Sequence, residues 1–422
     1  MNKIEFYKET NFKQTQLGKM PTDWDIIRFG ENFVEIEIGK RAKGGALTEG
    51  TVASIGGEHI DDRGNILWSD MKFIPEDFYE SLNQGKVKLG DILLVKDGAT
   101  TGKVALLREL HYEKVAVNEH VFVIRSKVDR LLNEFLYYFL FSKFGQIQIK
   151  TRFHGLIGGI VREDLEKVLI PYPPVVEQRA IAEVLSVVDL AIQRTDMVIA
   201  KTERLKKGLM QELLTRGIGH KEFKDTEIGR IPKDWEVVRL KDISEQRKEI
   251  VLPEEVNPLT PYIGLEHISS GVTKIKNFGK AGDVKSSKFK FFKNDILYGK
   301  LRPYLDKAVI AEVNGVCSTD IIIIKAVKCI PSFLIYLLHT KDFINYATAT
   351  MTGTNHPRTS WPAISKFNLP LPPTEEQQKI AEILLTVDKK LEIERNEKAR
   401  LEIIKQGLMD LLLTGKVRVR VN

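Results

Sequence analysis

Two stretches of this 422-residue chain carry no acidic side chain. The first, between Glu134 and Glu163, holds Lys143, Lys150, Arg152 and His154 among several glycines. The second, between Asp342 and Glu375, offers Thr354, Asn355, His356 and Arg358. Acid-free loops bearing hydroxyl, amide, imidazole and guanidinium donors suit phosphate oxygens and base edges. Three shorter clusters have the same character. Lys300, Arg302 and Tyr304 lie in a 271–310 window with ten Lys+Arg against three Asp+Glu. Lys40, Arg41 and Lys43 sit beside Gly44 and Gly45, and Lys96, Thr100, Thr101 and Lys103 lie close together. A plain solvated face is the competing reading for each, because most charge runs are no more than that.

Other chemistry is poorly represented. GATTGKV at 98–104 approaches a phosphate-binding loop, but it is one residue short between glycines, and Val104 replaces the hydroxyl that holds magnesium. NPLTPY at 257–262 has misplaced prolines and aromatic for an adenine-methyltransferase motif, and GLIGG at 155–159 is a poor cofactor loop. The eight histidines show no i, i+4 or Cys-paired metal spacing. His59 and His267 recur in an EHI pair, which reads better as a shared turn than as a catalytic base. No catalytic, cofactor or metal-binding constellation is expected.

The bulk properties bound the class. A chain of 43% apolar and 29% charged residues is an ordinary globular protein of two to four domains. Two cysteines, Cys317 and Cys329, make no disulfide framework and suit a reducing cytoplasm. No apolar run nears the roughly 20 residues that cross a bilayer, so no membrane partner is expected. The net charge of +7 is unevenly spread: residues 1–170 carry 24 basic against 25 acidic side chains, and 221–370 carry 23 against 17. Polyanion binding by the first half must therefore rest on local patches.

The elements that hold these residues are written twice. LGKMPTDWDIIRF (17–29) recurs as IGRIPKDWEVVRL (228–240), SIGGEHI (54–60) as YIGLEHI (262–268), and FLYYFL (135–140) as FLIYLL (333–338). IPYPPVVEQRAIAEVLSVVD (170–189) returns as LPLPPTEEQQKIAEILLTVD (369–388), and KKGLMQELLTRG (206–217) as KQGLMDLLLTGK (405–416). The order is kept throughout, which marks a tandem duplication of about 200 residues. Each repeat opens with short β-like runs and Gly-rich turns and closes with a long helix, expected over about 177–215 and 376–414. Pro171, Pro173 and Pro174, with Pro370, Pro372 and Pro373, lead into those helices. Ile181/Ile380, Leu185/Leu384, Val188/Val387, Ile192/Leu391, Leu205/Ile404, Leu209/Leu408 and Leu213/Leu412 form the expected apolar stripe. A stripe on a helix of about 58 Å needs a partner of equal length, and the other copy supplies one. The expected fold is α+β: two similar mixed α/β lobes separated by a pair of long antiparallel helices, a coiled coil with pseudo-two-fold symmetry. The boundaries are a first lobe 1–172, a helix 173–217, a second lobe 218–371, a helix 372–416 and a tail 417–422.

Three features, each present twice and in order, carry a family likeness: G-x-x-P-x-D-W opening each half (Gly18–Trp24, Gly229–Trp235), PxPP-x-x-E-Q leading into each helix (Pro171–Gln178, Pro370–Gln377), and GLM-x-x-LLT closing it (Gly208–Thr215, Gly407–Thr414). With these the chain resembles the specificity subunit of type I restriction–modification systems over nearly its whole length. The resemblance implies a non-enzymatic, cytoplasmic subunit whose lobes are target recognition domains, each reading one half of a bipartite sequence in double-stranded DNA. It implies helices that act as ruler and dock for modification (methyltransferase) subunits, which work with a restriction (motor nuclease) subunit. S-adenosylmethionine, ATP and magnesium would then belong to the partners. Two rivals stay open, a divergent methyltransferase or nuclease hidden in a lobe and a two-headed protein-binding scaffold.

Overall fold

The computed structural model describes residues 4–31, 33–155 and 158–421. Leu156 and Ile157, which belong to the first acid-free stretch and to the GLIGG run, lie outside the described residues, as does Asn422 of the expected tail. The chain divides into two compact units. One runs to Asp196 and resumes at Asn396; the other spans Met197–Arg395.

The lobe of each unit is built on a four-stranded antiparallel sheet with the same order. In the first unit the order is Val34–Ile38, Val121–Ser126, Ile92–Val95, Val104–Leu106. In the second it is Ser244–Arg247, Ile321–Ala326, Ile296–Gly299, Ala308–Ile310. The second strand of each sheet is apolar without alternation because both of its faces are covered. Phe122 and Ile124 point into the cluster that holds the helix Asn133–Phe141, whereas Val121 and Val123 point into a separate cluster with Ile55 and Val117. Ile322 and Ile324 against Ile321 and Ile323 repeat that division. A second sheet in each lobe contains one parallel pair, Val115↔Ala53 in one and Tyr262↔Val316 in the other. The repeated EHI is a turn lock: the Gly56 and Gly264 N–H groups donate to His59 and His267 Nδ1, both at 2.9 Å.

The long helices are Val175–Leu213 and Thr374–Leu412. Each begins directly after its proline run and ends just before a glycine in the left-handed region, Gly217 (φ 66°) or Gly415 (φ 67°). In the first unit Asp189 pairs with Lys405 (2.6 Å) and Asp196 with Lys398. In the second, Glu203 pairs with Arg395 and Lys206 with Asp388, both at 2.6 Å. One number falls as the other rises, so the helices run antiparallel within each unit. The seam departs from the expected stripe. Leu205 and Ile404 are exposed, at 55% and 47%. The contact face continues from Ile192 through Thr195, Ile199, Thr202, Lys206, Leu209 and Leu213, and from Leu391 through Glu394, Lys398, Leu401, Lys405, Leu408 and Leu412, all of them buried or half-buried. The 13-residue step from Ile192 to Leu205 turns about 220° around a helix at 100° per residue, which is the wrong side. Spacings of three and four carry the seam through polar side chains instead.

Each lobe is fixed to the start of its helix by a duplicated node. Trp24 Nε1 donates to Glu177 (3.0 Å), and Trp235 Nε1 to Glu376 (2.9 Å). Gln178 accepts from Leu132 N (2.9 Å) and donates to Arg130 O (2.8 Å), and Gln377 accepts from Ile330 N (3.0 Å). The tail is not loose: Val417–Val421 pairs antiparallel with Ile4–Lys8. It delivers Arg418 to Glu177 (2.6 and 2.7 Å), Asp23 (2.8 and 2.9 Å) and Glu9 (2.6 Å). In the second unit His220 takes that place, between Glu376 (2.8 Å) and Asp234 (3.3 Å). Among the described residues no helix is long and apolar enough to cross a membrane.

Candidate nucleic-acid interface

The sequence-distant candidates converge at matching ends of the two four-stranded sheets. In the first lobe the Lys96 N–H donates to His120 O (2.9 Å), and the Ile160 N–H donates to Lys96 O (2.8 Å). These bonds seat the 96–103 turn between the 118–120 turn and the His154–Gly159 hairpin bridge. Arg41 reaches the same edge through Glu119 (3.7 Å), and Lys40 and Lys43 beside it are exposed. In the second lobe the Lys300 N–H donates to Asp320 O (3.0 Å), and the Thr359 N–H donates to Lys300 O (3.0 Å). The bridges Leu301↔Arg358 and Thr352↔Arg358 add the loop that carries Thr354, Asn355 and His356. The backbone pattern is the same in both lobes although their side chains differ.

Side-chain freedom separates the candidates. In the first lobe most cations face acids or carbonyls. Lys96 pairs with Asp97 (3.0 Å), Lys103 with Asp62 (3.0 Å) and His154 with Asp164 (2.6 Å). Arg152 bends back onto Gln148 O (2.6 Å), and Thr101 Oγ1 donates to Gly98 O (2.6 Å). Burial works against ionisation of Asp97, but hydrogen bonds from Lys96 and His120 outweigh it and hold its carboxyl below the usual range. Lys150, at the end of the helix Lys143–Lys150, is exposed, and Thr100 is half-buried.

In the second lobe Arg358 presents its fork to Asp320 (2.8 and 3.1 Å) and a third N–H to His356 O (3.1 Å). The Arg358 hydrogen bonds hold the Asp320 carboxyl below the ordinary carboxylate range. Arg302 is different. It sits in the left-handed region at φ 50°, as does Asp306 at φ 51°, and Pro303–Leu305 forms a single 3-10 turn between them. Non-glycine residues adopt that conformation at a cost and cluster at functional sites. Asp306 is tied to His339 Nδ1 (2.6 Å), and the Arg302 N–H donates to Pro357 O (2.9 Å). The turn leaves Tyr304 exposed, and the Arg302 guanidinium has no hydrogen-bond or ion-pair partner among the described residues.

Sequence reasoning missed the middle segment of each edge, Asn118–His120 and Ser318–Asp320. The signal was available, since each follows a short apolar strand at the same place in its repeat. His220, Asp234 and Glu376 form a group whose ligand atoms lie within 4.8 Å of one another, from positions far apart in sequence. Glu376 there already accepts from Trp235 Nε1, from Ile218 N (2.8 Å) and from His220, so hydrogen bonding accounts for the group.

Comparison with known proteins agrees with this duplicated architecture. The family model of the type I restriction modification DNA specificity domain matches residues 21–202 and again 232–403. The type I restriction enzyme MjaVIII specificity subunit of Methanocaldococcus jannaschii is 29% identical over 99% of this chain and 98% of its own length. The EcoDI specificity subunit of Escherichia coli is 23% identical over 86% of this chain and 81% of its own. Among solved structures, the S subunit of a type I restriction–modification system from M. genitalium superposes with a TM-score of 0.60 at 17% identity, covering 92% of this chain and 96% of that one. A further chain, from a type I system solved for its assembly and conformational transition, gives 0.52 at 17% identity over 94% and 99%. At such identities the two structures speak for the fold alone. Matched twice across most of its length, this chain belongs to the type I restriction–modification DNA specificity family and carries the family's domain in tandem.

Proposed function

We propose that the chain is the non-catalytic recognition subunit of a cytoplasmic type I restriction–modification complex. Lobes 1–172 and 218–371 each read one half of a bipartite, asymmetric sequence in double-stranded DNA. Helices 173–217 and 372–416 set the spacing and dock methyltransferase subunits, which carry S-adenosylmethionine. A motor nuclease subunit carries ATP and magnesium. The observation that supports this most is the repeated backbone cradle, in which Lys96 and Lys300 are bonded alike while the side chains around them differ. Two identical mounts with different faces suit two different half-sites. Arg302 and Tyr304, with Lys300, Thr354, Asn355 and His356, form the reading face of the second lobe, and Arg358 holds it in shape through Asp320. Lys40, Arg41, Lys43, Lys96, Thr100, Thr101, Lys103, Lys150, Arg152 and His154 form that of the first.

The test is DNA binding by the full chain with its methyltransferase partner, measured against salt. Contact through several phosphates predicts a steep, linear log–log loss of affinity. A flat response would favour the protein-binding scaffold, and methyl transfer by the isolated chain would favour a hidden enzyme.

A further inference from the structure

Three repeated motifs have no part in the reading faces: FLYYFL/FLIYLL, the SVVD/LTVD end of the helix-opening run, and KKGLM/KQGLM. In each unit the fold brings them to one point. In the first, Asp189 of the first long helix accepts from Tyr138 Oη (2.8 Å) and pairs with Lys405 of the second long helix (2.6 Å). In the second, Asp388 accepts from Tyr336 Oη (2.8 Å) and pairs with Lys206 (2.6 Å). One element of the lobe and both helices therefore meet at a single carboxylate. All four charged side chains are at most one-fifth exposed. Burial, and then the neighbouring carboxylate, pushes both tyrosine hydroxyls far above their ordinary range, so they remain donors at any working pH.

The fourth arm differs, and it comes from the divergent part of each lobe. Arg108 reaches Asp189 at 3.1 Å, whereas Thr273 Oγ1 donates to Asp388 at 3.1 Å. The distance from the helix-start node is the same in both repeats. Asp189 lies 12 residues beyond Glu177, and Asp388 lies 12 beyond Glu376, about 18 Å at 1.5 Å per residue. Between the two nodes the lobe and helix share an apolar core, with Ile181 and Leu185 in one unit and Ile380 and Leu384 in the other. Apolar packing is non-directional, so two oriented polar ties about 18 Å apart are what would resist rocking of the lobe along its helix.

We propose that the Tyr138–Asp189–Lys405 and Tyr336–Asp388–Lys206 nodes are positioning residues that fix the tilt of each lobe on the helix pair of its own unit, and thereby set how sharply spacer length is discriminated. This rests on the DNA-recognition reading above. The nodes touch no base; their effect is on where the reading turns are held.

The experiment uses the full chain with its methyltransferase partner, on duplexes carrying both half-sites at the preferred spacer and at one base pair more or fewer. The variant is Tyr138→Phe with Tyr336→Phe, which removes two hydroxyl oxygens and keeps both rings packed. The expected result is a five- to tenfold fall in the affinity ratio between preferred and altered spacers, with each half-site's base preferences unchanged. The single variants should each shift the ratio less, which keeps the test open should the double variant fold poorly. A merely stabilising node would lower the melting temperature and leave the ratio where it was, and that outcome overturns the proposal. Wild-type protein that binds its sequence with no spacer preference overturns it too while sparing the recognition reading. A wild-type complex that binds no DNA at low salt removes that reading and this proposal together.

Discussion

Arg418 gives the sharpest quantitative prediction. Its guanidinium is buried and makes five hydrogen bonds to Glu9, Asp23 and Glu177. Glu177 is 6% exposed, so Arg418→Met would leave a buried carboxylate with, among the described residues, only the Trp24 indole donor facing it. Removing one partner of a buried ion pair costs about 3–5 kcal/mol. For a unit of about 220 residues, at roughly 2–4 °C per kcal/mol, the melting temperature of the first unit should fall by about 6–20 °C. The effect should depend on pH in one direction. The Glu9 carboxyl is held below its ordinary value of 4.5 mainly by the Asn11 N–H, with Arg418 adding to it, and Asp23 below 3.8 mainly by its bond to Arg418. Groups depressed in the folded state stabilise it above their unfolded pKa and lose that contribution as pH falls through the folded value. The gap between wild type and variant should therefore be full at pH 6–7 and close progressively below about pH 4. Calorimetry at pH 7, 5 and 3.5 measures it. A loss under about 1 kcal/mol at pH 7, or a gap that persists unchanged into acid, would refute the reasoning.

Three other outcomes are expected. Arg302→Ala should cost about 1–3 kcal/mol in binding and relax one base position, as read by binding-site selection; recovery of an unchanged motif counts against Arg302 as a base reader. Trp235→Phe keeps most of the packing but removes a hydrogen bond to a carboxylate, so the second unit should lose about 1.5–3 kcal/mol in denaturant unfolding. Gly415→Ala places a Cβ 2.4 Å from Pro21 Cγ at a φ of 67°, and should cost at least about 1–2 kcal/mol, visible as a lower melting temperature of the first unit.

Much of the architecture was legible because it is local. Proline runs, the 3.6-residue period and the tandem motifs placed both helices to within about two residues at each end. The seam was legible to Ile192 and Leu391 and again at Leu209, Leu213, Leu408 and Leu412. Between them it runs through Thr202, Lys206, Lys398 and Lys405, and a search for apolar residues stepped to Leu205 and Ile404 on the outer face. Glu177 and Gln178 were visible only as the end of the repeated proline motif that leads into the helix. Their true partners, Trp24 and the 130–132 backbone, lie 153 and about 47 residues away, a distance no periodicity encodes. The same limit applied to the site. The basic clusters were visible, but the acids that neutralise Lys96, Lys103 and His154 come from the turn or from other segments, so composition could not separate them from Arg302.

The main-chain bonds that close the two cradles are alike: they end on His120 O and Lys96 O in one, and on Asp320 O and Lys300 O in the other. Apart from the Arg358–Asp320 pair, these bonds place almost no demand on side-chain identity. Only proline, lacking the N–H, is barred from positions 96, 160, 300 and 359. On the proposed reading, new target preferences can be acquired by exchanging what the mount displays, with the strands, helices and ties beneath it left as they are. A lineage under pressure to change its address could do so one side chain at a time without refolding its reader.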